Sequence, residues 1–171
     1  IATVLLAMIP FFTILFTPLF GALVDKVGKA TLWMIVGSAM VLVSHLIITF
    51  APQGEPMYAY IAIALLGIGY SLVPSAMWPS VPKIIPEKNL GTAYSLIYWV
   101  QNLGMWAVPI YVGRIFKKEI TEAGNITQEI TAAIHAEYVF IFLGIVAIAT
   151  AMMLYHSSRR HPELRLDEPA Q

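Results

Sequence analysis

Cysteine is absent from the 171 residues. That excludes disulfide frameworks and thiolate metal sites within them and leaves the redox compartment unread. Charge is scarce as well: Asp, Glu, Lys and Arg supply 12% of the chain, where a soluble domain carries about a quarter. Ten basic residues balance ten acidic ones, so no charge excess invites nucleic acid. Paired aspartates, H-E-x-x-H and G-x-S-x-G are all missing. The usual starting points for metal-assisted hydrolysis or a serine nucleophile go with them, and no metal or cofactor is expected. No basic n-region precedes the first apolar run and no small-residue cleavage site follows it. The run reads as a mature span, not a signal peptide, and a chain that begins with Ile1 reads as a piece of a longer one.

What is present is apolar. Hydrophobic residues make up 58% of the chain and the mean hydropathy is +0.75. A helix needs about 20 apolar residues to cross a bilayer, and five stretches qualify: about 1–24, 30–50, 57–81, 90–113 and 135–155. Charged residues stay out of their interiors, with Arg114 and Glu137 at the ends. The expected fold is an all-α membrane protein of five transmembrane helices with the lipid bilayer as its solvent. Short turns join the first four. A polar connection follows from Arg114 to about Ile134, and residues 157–171 form a charged, mobile tail.

Lys26, Lys29, Lys83, Lys88, Arg159, Arg160 and Arg165 fall on one side of the membrane, and Arg114, Lys117 and Lys118 on the other. The positive-inside rule puts the first side, with the tail, in the cytoplasm. Tyr58, Tyr60, Tyr111, Tyr138 and Tyr155 stand at span ends, where interfacial aromatics prefer to sit. Asn125-Ile126-Thr127 is a glycosylation triplet on the outer side.

The first connection reads Gly21-Ala22-Leu23-Val24-Asp25-Lys26-Val27-Gly28-Lys29. Gly21 admits a close helix neighbour. Asp25 at a helix end suits a charge-assisted contact, and Gly28 suits a turn with positive φ. Lys26 and Lys29 suit an anionic leaflet. The G-x-x-x-D-K-x-G-K pattern resembles the signature loop of the major facilitator superfamily. The resemblance implies that Gly21, Asp25, Lys26, Gly28 and Lys29 form a conformational latch between two halves of a transporter. It also implies that the five stretches are spans 8 to 12, with span 7 and the N-terminal half missing.

A second group of motifs narrows the likeness. Leu66-Gly67-Ile68-Gly69-Tyr70, Trp78-Pro79, Leu90-Gly91-Thr92-Ala93-Tyr94 and Gln101-Asn102-Leu103-Gly104 are similar to the major facilitator superfamily domain-containing protein 1 branch. That branch implies facilitated diffusion of small peptides, dipeptides in particular. It implies the lysosomal membrane in a eukaryote and the inner membrane in a bacterium.

Transporter sites lie near the midplane, at helices broken by proline or glycine. Pro74, Pro79 and Pro82 each remove a backbone donor from the third stretch, so they are the candidate gating points, with Gly67 and Gly69 loosening the helix further. Ser71, Ser75 and Trp78 recur there at helical spacing. Tyr94, Tyr98 and Gln101 share one face of the fourth stretch, and Asn102 lies on an adjacent face. Amides and hydroxyls suit a peptide backbone, and Trp78 and Tyr98 suit its side chains. Helix-to-helix hydrogen bonding is the competing use for each polar group. His45, a lone histidine with no carboxylate nearby, reads as a packing or hydrogen-bonding residue, with a proton relay as the alternative, and Thr13 and Thr17 read as bonding back to their own helix. A carrier of a small solute is the leading function. A non-transporting receptor or scaffold of the same fold is the alternative, with an intramembrane enzyme behind it.

Overall fold

The computed structural model describes residues 2–52, 54–120 and 125–169, with side chains from residue 7 onward. The helices are α1 (Ala2–Val27), α2 (Ala30–Phe50), α3 (Pro56–Met77), α4 (Val81–Ile84), α5 (Leu90–Glu119) and α6 (Ile126–Arg160). Short 3-10 turns cover Trp78–Ser80, Glu87–Asn89 and Pro162–Leu164, and the described residues contain no strand.

Small residues set where these helices meet. Gly37 on α2 faces Gly69 on α3 so closely that a Cβ on Gly69 would lie 2.8 Å from the Gly37 carbonyl oxygen. Gly67 admits Phe12 of α1, and Gly144 on α6 admits Leu42 of α2. Gly67 and Gly69 were expected to loosen α3; instead they are its contact points. Hydroxyls reinforce the seams. Ser44 donates to the Ala62 carbonyl at 2.7 Å, and Ser75 to the Thr17 carbonyl at 3.1 Å. In space the order is α1, α3, α2, α6, α5.

The interior is made of Ala30, Ala62, Ala76, Ala132, Ala136, Ala151 and similar small groups, while Phe11, Ile14, Phe50, Phe142 and Met153 are well exposed. A protein in water would reverse that arrangement. Where lipid is the solvent, close backbone approach drives packing and large apolar side chains face outward. Ala7–Val27, Ala30–Phe50, Pro56–Ile84 and Ile126–Arg160 are long and apolar enough to cross a membrane. The remaining expected span, α5, has the length but less apolarity, because Thr92, Ser95, Gln101 and Asn102 interrupt it.

Several boundaries differ from expectation. α1 runs through Asp25 and Lys26, so the turn before α2 shrinks to Gly28 and Lys29. The polar connection, expected to have helical character, is largely helical. Arg114, Lys117 and Lys118 are good helix formers, and they extend α5 to Glu119. Asn125 starts α6 with a capping box: its Oδ1 accepts from the Gln128 amide at 3.0 Å, and Gln128 Oε1 accepts from the Asn125 amide at 3.3 Å. Residues 121–124 of that connection, and 170–171 of the tail, lie outside the described residues. The tail itself is not loose, since Leu166 is 2% exposed and its neighbours bond back to α2, α4 and α6.

Candidate solute site

The broken third helix positions the first half of the site. Pro74 lies inside α3, and Pro79 and Pro82 follow in the 3-10 turn and α4. Their rings remove the amides that would meet the carbonyls four residues back. The helix tightens to 3-10 geometry at Trp78–Ser80 and resumes at Val81. Serine hydroxyls bond to nearby carbonyls along the same stretch: Ser71 to Gly67 at 2.6 Å, Ser75 to Ser71 at 2.8 Å and Ser80 to Ala76 at 2.8 Å.

The tightened turn places Trp78 against α5. Its indole stacks on the Tyr98 ring with centroids 5.1 Å apart, and Tyr94 lies 5.7 Å away at a tilt. Tyr94 and Tyr98 are one turn apart on α5, so both rings meet the same indole. The cluster is not sealed: Tyr98 is 51% exposed. Gln101 and Asn102 follow it, both exposed. Asn102 Nδ2 donates to the Tyr98 carbonyl at 2.8 Å. No residue of α5 is buried. The arrangement is an aromatic shelf beside two amides, able to stack flat groups and to bond a peptide-like backbone.

Two of the site residues read from sequence go elsewhere. Ser71 is fully buried and Ser75 nearly so; both hydroxyls face the α1–α3 seam, where Ser75 reaches the Thr17 carbonyl. They do not join Trp78, Tyr94, Tyr98, Gln101 and Asn102. Thr13 bonds to the Ile9 carbonyl at 2.9 Å as its position suggested. Thr17 does not follow: its buried Oγ1 has no partner among the described residues.

The signature loop divides in the same way. Gly28 and Lys29 both take left-handed backbone angles, at φ 70° and 58°. Only glycine adopts that conformation without strain. Trp33 Nε1 donates to the Gly28 carbonyl at 3.0 Å and fixes the turn. Asp25 and Lys26 project from the last turn of α1 and are exposed. Among the described residues no other element approaches Gly21: a Cβ there would meet none of their atoms within 4 Å.

One half-buried pair escaped the sequence reading. His45 Nδ1 on α2 lies 2.7 Å from Glu137 Oε2 on α6, and the imidazole stacks on Phe140 at 5.1 Å. His45 therefore does have a carboxylate beside it. The signal was Glu137 itself, which the longer α6 carries into the bundle. At the other end of α6, Arg159 bonds to the Tyr155 hydroxyl at 2.8 Å.

Small-residue seams, a lipid-compatible exterior and an open, mixed-polarity helix define an integral, multi-span α-helical membrane protein. The chain belongs to the major facilitator superfamily, whose family model matches residues 1–171. It is 44% identical over 99 residues to "Lysosomal dipeptide transporter MFSD1" of Mus musculus and 42% identical over 99 residues to that of Homo sapiens; each match covers 58% of this chain and 20% of the relative. The Danio rerio protein of the same name is 32% identical over 139 residues, covering 81% of this chain and 27% of the relative. The chain thus spans roughly a fifth to a quarter of the length of these curated relatives. No solved structure matches it.

Proposed function

We propose that this chain supplies one wall of the solute path in an alternating-access transporter, and that the solute is a short peptide, dipeptides first. The observation that carries the reading is the Trp78–Tyr98–Tyr94 shelf beside Gln101 and Asn102, on a helix with no buried residue. In this superfamily the solute site lies between two six-span halves near the midplane. A helix of mixed polarity, left open by its own bundle, is the kind of surface such a path requires. The relatives named as dipeptide transporters support the choice of solute. Family membership points to transport and away from catalysis.

The proline-broken segment Pro74–Pro82 is the gating element in this reading. The end of the bundle carrying Gly28, Lys83 and the tail faces the cytoplasm, in accord with the Lys and Arg distribution. Asp25 and Lys26, exposed there, are placed to latch onto the other half. Movement is by facilitated diffusion, as the resemblance implies. The test is uptake of labelled di- and tripeptides into proteoliposomes holding the full-length protein. Saturable dipeptide uptake or counterflow is expected. A folded protein that moves none in either direction overturns the carrier reading and leaves the receptor or scaffold of the same fold.

A further inference from the structure

The tail after α6 makes more contacts than a charged terminus needs. The α1–α2 turn leaves the first amides of α2 without a side-chain cap from Lys29, and unfilled donors at a helix start need partners. Asp167 supplies them from 136 residues away. Its Oδ1 accepts from the Thr31 amide at 2.9 Å and from the Thr31 hydroxyl at 2.7 Å. Its backbone carbonyl accepts from the Lys29 amide at 2.8 Å. The carboxylate also faces the positive end of the α2 dipole. Its Oδ2 takes a third group, the Ser158 hydroxyl of α6, at 3.0 Å. Thr31 is fully buried by this arrangement and Ser158 is 8% exposed.

The same segment reaches α4. Lys83 Nζ donates to the Glu168 carbonyl at 3.0 Å and lies 3.3 Å and 3.4 Å from the Arg165 and Leu166 carbonyls. Leu166 is tucked inside. The tail backbone lies directly on Gly28: a Cβ there would be 2.8 Å from Glu168 C and Pro169 N, and closer still to the Asp167 oxygen. At the start of the segment Glu163 bonds to His161 at 2.9 Å, a contact within the tail. A backbone hydrogen bond first, and that His161 contact second, hold the Glu163 carboxyl below the ordinary range.

We infer that residues 162–169 form a strap that holds the proline-broken end of the third span against the α2–α6 scaffold, with Asp167 as its fastening and Lys83 as its grip on the moving part. α4 follows Pro79 and holds Pro82, where the backbone has lost donors and bends most easily. Its outward swing stretches the Lys83 contacts first. The strap therefore sets how readily this end of the bundle opens. The inference rests on the reading of Pro74–Pro82 as the gate.

The experiment uses the full-length protein in membranes, without other cysteines, carrying Ser80→Cys. Ser80 is 3% exposed and its hydroxyl bonds back to the Ala76 carbonyl of α3. The measurement is the labelling rate by a membrane-impermeant maleimide added from the strap side. Asp167→Asn keeps shape but loses the charge and one acceptor, and labelling is expected to rise about tenfold. Lys83→Gln alone is expected to raise it as well. The two together are expected to exceed the larger single effect little, because both release one strap. Unchanged rates in both variants overturn the inference, and so do fully independent effects. A parallel rise at Ala62→Cys, a fully buried position elsewhere in the bundle, means general loosening and overturns it too. Labelling does not depend on the solute, so an absence of dipeptide uptake with a responsive strap counts only against the transport reading.

Discussion

His45 Nδ1 and Glu137 Oε2 meet at 2.7 Å between α2 and α6, with the two side chains only 12% and 19% exposed. Phe140 closes one face of the imidazole. The pair is a polar tie across the α2–α6 seam, where Leu42 also packs on Gly144.

Removing one partner strands the other away from water. Glu137→Ala is expected to destabilise the purified full-length protein by about 1–3 kcal/mol. Glu137→Gln, which keeps an acceptor, costs less. His45→Phe combined with Glu137→Leu is expected to cost less than the two single changes summed, since neither group is then left unpaired. Thermal unfolding in detergent reads all five variants, the singles His45→Phe and Glu137→Leu included; strict additivity contradicts the pairing.

The α2–α3 crossing gives a steric prediction. Gly69→Ala puts a methyl 2.8 Å from the Gly37 carbonyl oxygen and 2.9 Å from Met40 Cβ. Backbone cannot yield as a flexible side chain does, so a loss of about 1–3 kcal/mol is expected. Gly104→Ala, with no atom within 4 Å, serves as the control in the same unfolding measurement and is expected to be neutral or slightly stabilising. Equal melting of the two variants would mean that the helices do not cross at Gly37 and Gly69.

These two sites show what the sequence could and could not disclose. Helix content, the α2 limits and the left-handed turn at Gly28 follow from apolar run length and residue type, which are local. The partners of Ser71, Ser75 and His45 depend on which helices are neighbours, and run length is silent on that. Ser71 and Trp78 lie at helical spacing on paper; the 3-10 turn that begins at Trp78 aims the indole at α5 and leaves the serines facing α1. The tail looked loose because its residues are charged and proline-rich. Asp167 is instead ordered by the unfilled amides at the start of α2, a demand visible only once the Gly28–Lys29 turn is built.

The aromatic shelf predicts a split between binding and expression. Trp78→Ala removes the ring that both Tyr94 and Tyr98 contact. Stacking of this kind contributes about 0.5–1.5 kcal/mol beyond burial, so dipeptide affinity is expected to fall by roughly tenfold. Trp78→Phe retains a flat face and most of the uptake. Membrane expression is unchanged in both. Concentration-dependent uptake in proteoliposomes measures this, and normal affinity in Trp78→Ala removes the shelf from the solute path.

Gly21 and Asp25 stand four residues apart on one face of α1, and that face is open: no atom lies within 4 Å of where a Gly21 Cβ would be, and Asp25 is exposed. An open glycine beside an exposed carboxylate serves no packing purpose among the described residues of this bundle. It suits contact with another part of the transporter in one of its two states. Gly21→Leu is therefore expected to leave the unfolding temperature within about 1 °C, since a surface change away from packed features shifts stability by at most about 0.5 kcal/mol, while slowing turnover by blocking close approach. Asp25→Asn is expected to cut the maximal uptake rate by about tenfold through loss of a charge-assisted contact, with KM nearly unchanged, because the latch state and not the solute site is affected. Initial rates across a range of dipeptide concentrations separate the two parameters. A pure rise in KM in either variant would place these residues in solute binding and remove the latch from the mechanism.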